Sequence, residues 1–151
     1  MIENLSHKLT EFMDEHLPIA DKIGIAVESY DGHTLKLRAP LAPSINDKQT
    51  AFGGSMYCLC VMNCWGMVYL KCLENGIVPN IVIGKAEIEY KLPVAQDFVS
   101  SCDNIDDKNW DDFFAAFKAK GRAKIRMESH IEIDGKPAVL FAGNYAIIGE
   151  K

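Results

Sequence analysis

The sequence predicts an α+β domain in which one antiparallel sheet curls around a single long central helix. Three observations predict this fold. No charged residue occurs between Gln49 and Leu70, whereas the segments on either side alternate between apolar and polar residues as half-buried strands do. The 151 residues contain no internal repeat and no linker, so we expect a single domain over residues 1–151, large enough to bury a core.

The chain opens with a predicted amphipathic helix, which Asn4 caps and which ends before Pro18. Its apolar residues recur at helical spacing and are Leu5, Leu9, Phe12, Met13 and Leu17. The alternation of Ile23, Ile25 and Val27 then predicts a strand, Asp31-Gly32 a turn, and Leu35, Leu37 and Ala39 a returning strand. This hairpin leads directly into the loop before the central helix.

The central helix is predicted over about residues 54–75, with Ser55 as its cap and Glu74-Asn75-Gly76 as its end. Its apolar residues point in every direction, so we expect burial on all sides. A membrane span is the main alternative, since about 20 apolar residues cross a bilayer. Core burial is favoured because Gly53, Asn63 and Gly66 interrupt the run and no Lys or Arg cluster flanks it.

Four further elements are predicted after the central helix. Alternation predicts strands over Val82 to Leu92, Phe98 to Ile105, Lys124 to Ile133 and Ala138 to Ile148. Between the second and third of these, Asn109 is the expected cap of a short helix. The stripe of that helix consists of Trp110, Phe113, Phe114 and Phe117. Such an aromatic stripe is more typical of core packing than of a binding site.

Composition excludes several classes of function. A net charge of −5 argues against general binding of nucleic acid, which requires a basic surface. Four of the five cysteines fall on the central helix and none has the spacing of a zinc site, so we expect small core residues and no metal. The amino terminus has no signal-peptide pattern. A reduced, cytoplasmic protein is the expectation.

Basic residues occupy every second position from Lys118 to Arg126. Wherever this segment is extended they form one stripe. A solvated strand face or a protected sheet edge is the favoured interpretation. Docking of an acidic carrier protein or of coenzyme A phosphates is the alternative.

The order of elements, with Gly53-Gly54 opening the buried helix, resembles the hot-dog fold of acyl-thioester enzymes. The run from Leu41 to Ser55, followed by Trp65-Gly66 and Tyr69-Leu70, resembles one branch of that fold, long labelled a putative thioesterase. The resemblance implies malonyl-acyl carrier protein decarboxylase activity, in a standalone form without the acetyltransferase-like domain that some members carry. It also implies a homodimer whose sites lie at the subunit junction.

The residue types agree better with decarboxylation than with hydrolysis. A hot-dog thioesterase needs a base to activate water. From Ser55 to Leu73 the helix has no Asp, Glu or His, and Phe52 stands before the two glycines where many relatives have His. Loss of carbon dioxide from a malonyl thioester instead requires stabilisation of an enolate oxygen and no metal or organic cofactor. We expect the backbone N–H groups near Gly53 and Gly54 to supply that stabilisation at the positive end of the helix.

Asn46 is the expected side-chain donor to the enolate oxygen or to the carboxylate. Spacing alone favours a turn role for this asparagine, whereas the resemblance places it in the catalytic loop. The remaining predicted substrate contacts are Asp47, Thr50, Phe52, Ser55 and Met56. Asp47 either orients the loop or repels a second anion, and Ser55 either caps the helix or donates to the thioester.

The sequence therefore leaves three functions open. The first is a cytoplasmic, dimeric decarboxylase acting on malonyl-acyl carrier protein or the corresponding coenzyme A thioester. The second is an acyl thioesterase that uses Asp47 or a loop water. The third is a non-catalytic acyl-binding or dimerisation module. None of the three involves nucleic acid or a membrane.

Overall fold

The computed structural model describes residues 2–103 and 105–149. Within these residues, four helices and a short 3-10 turn, Ala42–Ser44, are formed. The helices are α1 (Ile2–His16), α2 (Pro18–Ile23), α3 (Gly53–Glu74) and α4 (Asp107–Lys120). The strands are β1 (Ala26–Tyr30), β2 (Thr34–Ala39), β3 (Ile81–Tyr90), β4 (Phe98–Asp103), β5 (Arg122–Ile133) and β6 (Lys136–Ile148).

The six strands form one antiparallel sheet in the order β1-β2-β4-β5-β6-β3. The inner face of this sheet packs around α3, whose Leu59, Cys60, Cys64 and Met67 are fully buried. The predicted α+β fold with its long central helix is thereby confirmed. By length and composition α3 is apolar enough to cross a membrane, but 67% of that window is buried, so α3 is the core helix of a globular fold.

Burial of α3 is not complete on every side. Tyr57, Cys58, Val61 and Trp65 are only partly buried, and together they form a stripe along the side of the helix that the sheet leaves open. Trp65 stacks on Tyr69 with ring centroids 5.1 Å apart. The expectation that the helix is buried all round therefore holds for most of its faces and fails along this stripe.

The segment around Ile23 is helical, which corrects the predicted strand. Pro18 occupies the first turn of α2, where its missing N–H costs nothing, so the proline starts a helix rather than only ending one. Gly24, at φ 84°, ends α2 in the left-handed conformation. The apolar spacing of Ile23 and Ile25 thus spans a helix end, and the strand begins at Ala26.

The three predicted caps are also wrong. Asn4 lies inside the first turn of α1, which begins at Ile2. Phe52 precedes α3 and no side chain caps that helix, while Ser55 lies inside its first turn. Asp106, rather than Asn109, caps α4: its carboxylate accepts the backbone N–H of Asn109 at 2.8 Å. Asp and Asn are equally good caps, so composition alone did not separate the two positions.

The predicted basic stripe is divided between two elements. Lys118 and Lys120 lie in the last turn of α4, where they complement its dipole, and Gly121 ends that helix. Only Arg122, Lys124 and Arg126 alternate along the exposed face of β5.

β3 forms one edge of the sheet and pairs only with β6. Its exposed apolar side chains include Val82, Ile83 and Tyr90, which are 44%, 40% and 48% exposed. The register with β6 shifts between Ile83 and Lys85, so a bulge interrupts the edge near Gly84. Edge strands of this kind are open to pairing with another chain.

Candidate active site at the start of the central helix

The loop before α3 is a small hairpin. The backbone N–H of Phe52 donates to the Ser44 carbonyl at 2.7 Å, and that of Asn46 donates to the Thr50 carbonyl at 2.8 Å. A β-bridge between Ile45 and Ala51 lies between these two bonds. The segment that leads into α3 is therefore a hydrogen-bonded hairpin and not an unpaired loop.

The side chain of Asn46 is held inside this hairpin. Its Oδ1 accepts the N–H groups of Lys48 at 2.9 Å and Thr50 at 3.1 Å. These two donors fix which way the amide faces, because the flipped amide would point its own N–H groups at them. Nδ2 is within 3.0 Å of the Thr50 hydroxyl, which leaves one of its two hydrogens for another acceptor.

Asn46 thus fills the turn role that spacing favours and retains one donor for a ligand. No hydrogen bond among the described residues joins it to Gly53 or Gly54. Thr50, its partner across the hairpin, precedes Gly53 by three residues, so at most about 11 Å separates their Cα atoms.

The first turn of α3 presents two unpaired backbone donors. The N–H groups of Ser55 and Met56 both donate to the Phe52 carbonyl, at 3.0 and 3.2 Å. Within residues 2–103 and 105–149, no hydrogen bond uses the N–H of Gly53 or Gly54. The first turn also contains no acidic side chain. The positive end of a 22-residue helix is consequently open to an anion.

Two aromatic rings flank these donors. A Cβ atom built on Gly54 would lie 2.5 Å from the ring of Phe52, and one on Gly53 would lie 3.3 Å from the ring of Tyr90. The space that a side chain at either position would fill is therefore occupied by an aromatic ring. Gly54 is exposed and Gly53 half-buried, so neither is sealed beneath packed side chains.

Tyr90 is a residue of this site that the sequence analysis did not identify. It ends β3, and its hydroxyl donates to the Gly53 carbonyl at 2.8 Å. Burial raises its pKa above the ordinary value, and the nearby Cys60 and Tyr57 raise it further. The sequence places Tyr90 on the apolar side of the predicted strand from Val82 to Leu92, but no local pattern links it to the loop.

The other predicted contacts differ in their surroundings. Ser55 and Met56 are buried beneath the first turn. Asp47 lies at the hairpin tip, where its side chain is 81% exposed and contacts Lys48 at 3.3 Å. A carboxylate so exposed, paired with a lysine, is poorly placed to activate water in a shielded site.

A larger concavity lies elsewhere. A groove of about 890 Å³ runs over the outer face of β3, β5 and β6 and is bordered by the start of α4. It contains charges of both signs, with Arg126 3.9 Å from Glu87. None of the residues that line this groove belongs to the loop before α3 or to the first turn of that helix.

A small polar cluster is buried in the core between α3 and the sheet. Nδ2 of Asn63 donates to the Ser100 hydroxyl at 2.8 Å, and that hydroxyl lies 3.7 Å from the Cys60 sulfur. Oδ1 of Asn63 has no partner among the described residues. Asn63 is thus a core amide with only its Nδ2 hydrogen-bonded among the described residues, and it lies outside the candidate site.

Comparison with known proteins gives one matching family, described as "Putative thioesterase (yiiD_Cterm)", over residues 6–149. A protein of unknown function from Chlorobaculum tepidum is 44% identical, with a TM-score of 0.95 and coverage of 99% of this chain and 97% of that one. A "putative thioesterase" from Shewanella oneidensis is 28% identical, with a TM-score of 0.86 and coverage of 97% and 99%.

A thioesterase from Haemophilus influenzae extends the likeness in fold. It is 14% identical, with a TM-score of 0.69 and coverage of 99% of this chain and 91% of that one. At this identity the likeness concerns the fold alone, which is the hot-dog arrangement of a sheet around one helix.

Proposed function

The chain belongs to the family described as "Putative thioesterase (yiiD_Cterm)", and on that premise we propose that it binds an acyl thioester at the start of α3. There the N–H groups of Gly53 and Gly54 stabilise negative charge on the thioester oxygen. A site of this kind serves both reactions that the sequence leaves open, hydrolysis and decarboxylation.

The observation that carries the proposal concerns the backbone N–H groups of Gly53 and Gly54. Among the described residues neither has a hydrogen-bond partner, and both lie at the exposed start of a helix that no side chain caps. Backbone donors held in place by a helix need no rearrangement when charge develops, and one well-aimed donor contributes about 3 kcal/mol. A nearby carboxylate would compete with the substrate for these donors, and the first turn has none. The hairpin bonds of Phe52 and Asn46 keep the helix start in place.

Decarboxylation of a malonyl thioester is the reaction we propose first. The carboxylate leaves as carbon dioxide, its bonding electrons form an enolate on the thioester, and a proton then restores the acetyl group. No base is needed to begin the reaction. The free hydrogen on Nδ2 of Asn46 is a neutral donor for the carboxylate or the enolate oxygen.

Thioester hydrolysis is the second candidate, and the descriptions of the relatives favour it. Hydrolysis requires a base that activates water. The acid nearest in sequence, Asp47, is exposed and paired with Lys48. The missing base is the physical reason for placing hydrolysis second.

We further propose that the protein is a cytoplasmic homodimer and that its substrate is carried by acyl carrier protein or coenzyme A. The exposed edge of β3 and the partly buried Val61 and Trp65 on the open side of α3 support self-association. The exposed basic residues on β5 and in the last turn of α4 attract an acidic carrier protein.

Mass spectrometry of malonyl-acyl carrier protein incubated with the purified protein separates the three functions. Loss of carbon dioxide with the acetyl thioester retained is the expected result. Loss of the whole acyl group would select hydrolysis. An unchanged thioester that the protein nevertheless binds would select a non-catalytic acyl-binding module, and would overturn both enzymatic proposals.

A further inference from the structure

The hydroxyl of Tyr90 is bonded to one of the two peptide groups on which the proposed function rests. It donates at 2.8 Å to the Gly53 carbonyl, while its ring lies against Gly53. The Gly53 carbonyl and the Gly54 N–H belong to the same peptide group. This group is trans, so its oxygen and its N–H point in opposite directions.

A hydrogen bond donated to a peptide oxygen draws electron density toward that oxygen and makes the N–H of the same group a stronger donor. Linked hydrogen bonds strengthen one another in this way by about 10–30%. The Gly53 carbonyl already faces down the helix, so the added bond from Tyr90 reinforces the helix dipole at its exposed end.

Assuming the proposed function, we propose that Tyr90 is a positioning residue that orients and polarises the Gly53–Gly54 peptide, so that its N–H stabilises the oxyanion. Tyr90 does not exchange a proton with the substrate. Its pKa is raised, which keeps the hydroxyl protonated at neutral pH and able to donate. The end of the edge strand β3 therefore contributes to the site as well as the loop and α3.

Three variants separate the hydroxyl from the ring. Tyr90→Phe keeps the ring over Gly53 and removes only the donor. Tyr57→Phe is the matched control, because it removes a neighbouring hydroxyl that makes no hydrogen bond among the described residues. Replacement of Tyr90 by 3-fluorotyrosine, whose hydroxyl is more acidic, makes the same bond stronger.

Turnover of the malonyl thioester is measured for each variant. For Tyr90→Phe we expect kcat to fall about two- to fivefold with KM unchanged, which is the effect of weakening one donor by 10–30% and is less than the 10²–10³ typical of removing a whole donor. Tyr57→Phe keeps the wild-type rate, and the fluorinated variant is at least as fast as wild type. The amide proton resonance of Gly54 moves upfield in Tyr90→Phe and stays in place in Tyr57→Phe.

An active wild-type protein with an unimpaired Tyr90→Phe variant would overturn the role of Tyr90 and leave the proposed function intact. An equal loss of rate in Tyr57→Phe, or a slower fluorinated variant, would also overturn it, since a packing role does not depend on hydroxyl acidity. A wild-type protein inactive on every thioester would overturn the proposed function itself.

Discussion

At the scale of single residues, Asn46 supports the loop with one side-chain atom, and in the proposed function it contacts the ligand with another. Oδ1 accepts two backbone N–H groups, which stabilises the hairpin, and Nδ2 retains a free hydrogen. A substitution that keeps the oxygen and removes the nitrogen therefore separates the two roles. Asp is that substitution, because it has the same shape and two acceptor oxygens.

We predict that Asn46→Asp lowers kcat on a malonyl thioester by at least about 10²–10³, because it removes one donor and adds a negative charge near the developing enolate. The free energy of unfolding should change little, because the bonds from Lys48 and Thr50 remain possible. Denaturant unfolding and steady-state kinetics measure the two effects. A variant as active as wild type would remove Asn46 from the mechanism and leave it a turn residue.

Cys72 is a second residue whose surroundings give a measurable effect. Burial raises the pKa of its thiol from about 9 to about 12. Between these values the unfolded chain loses this proton and the folded chain keeps it, so stability is complete below pH 9 and falls as the pH rises.

In Cys72→Ala we expect the slope of unfolding free energy against pH, between pH 9 and 12, to be shallower by about 1.4 kcal/mol per pH unit. Urea titrations at several pH values measure this slope. Because other buried thiols also contribute, the comparison is with wild type under the same conditions. An unchanged slope would show that the thiol titrates alike in both states.

At the scale of elements, α4 shows how a cap is chosen. The carboxylate of Asp106 accepts the N–H of Asn109, so the helix starts three residues before the position that the sequence suggests. Lys108 and the nearby acidic side chains at the start of α4 are exposed, so their charges contribute little to the free energy of unfolding.

We predict that Asp106→Ala lowers the free energy of unfolding by about 1 kcal/mol, the typical value of a lost N-cap. Asn109→Ala is the matched control and should leave stability nearly unchanged, since its backbone N–H remains. Chemical denaturation of the two variants side by side measures the difference. If both lost the same amount, side-chain capping by Asp106 would not be the cause.

Much of the fold was predictable from the sequence because its strongest patterns are periodic. The clean alternation of β5 predicts a half-buried strand, and the long uncharged run of α3 predicts a helix with most of its surface buried. Ends of elements were less predictable. Ile23 continues an apolar spacing across a helix end, and Ser55 is a good cap residue one turn too late to act as one.

The candidate site was predictable in part for the same reason. The loop and its glycines are contiguous in sequence with the helix they precede, so local patterns identify them. Tyr90 is 37 residues from Gly53 and reaches it only because β3 pairs with β6 beside α3. A contact made by tertiary structure leaves no local trace in a single sequence.

At the scale of the whole molecule, the charges of β3 select one way in which two copies can pair. The outward side chains of this edge include Lys85, Glu87, Glu89 and Lys91. If two copies meet antiparallel with Ala86 opposite Ala86, Lys85 of each lies opposite Glu87 of the other. Centring the pair on Ile88 instead sets like charges against each other, which is unfavourable.

We predict that Lys85→Glu weakens the proposed dimer by about tenfold, because two opposite-charge pairs worth about 0.2–1 kcal/mol each become repulsive. Combining it with Glu87→Lys restores both pairs and the wild-type dissociation constant. Sedimentation velocity over a range of concentrations measures these constants. A double variant no tighter than the single one would exclude this register.

The exposed edge of β3 also affects the tendency of the isolated chain to aggregate. In a newly synthesised protomer, the edge of β3 exposes unpaired peptide groups beside the exposed Val82 and Ile83. Fibrils grow on edges of this kind. The bulge near Gly84 and the flanking charges hinder pairing of this edge with the strands of other chains. Smoothing the irregularity or neutralising those charges should therefore lower the yield of soluble protein even where the folded state itself is no less stable.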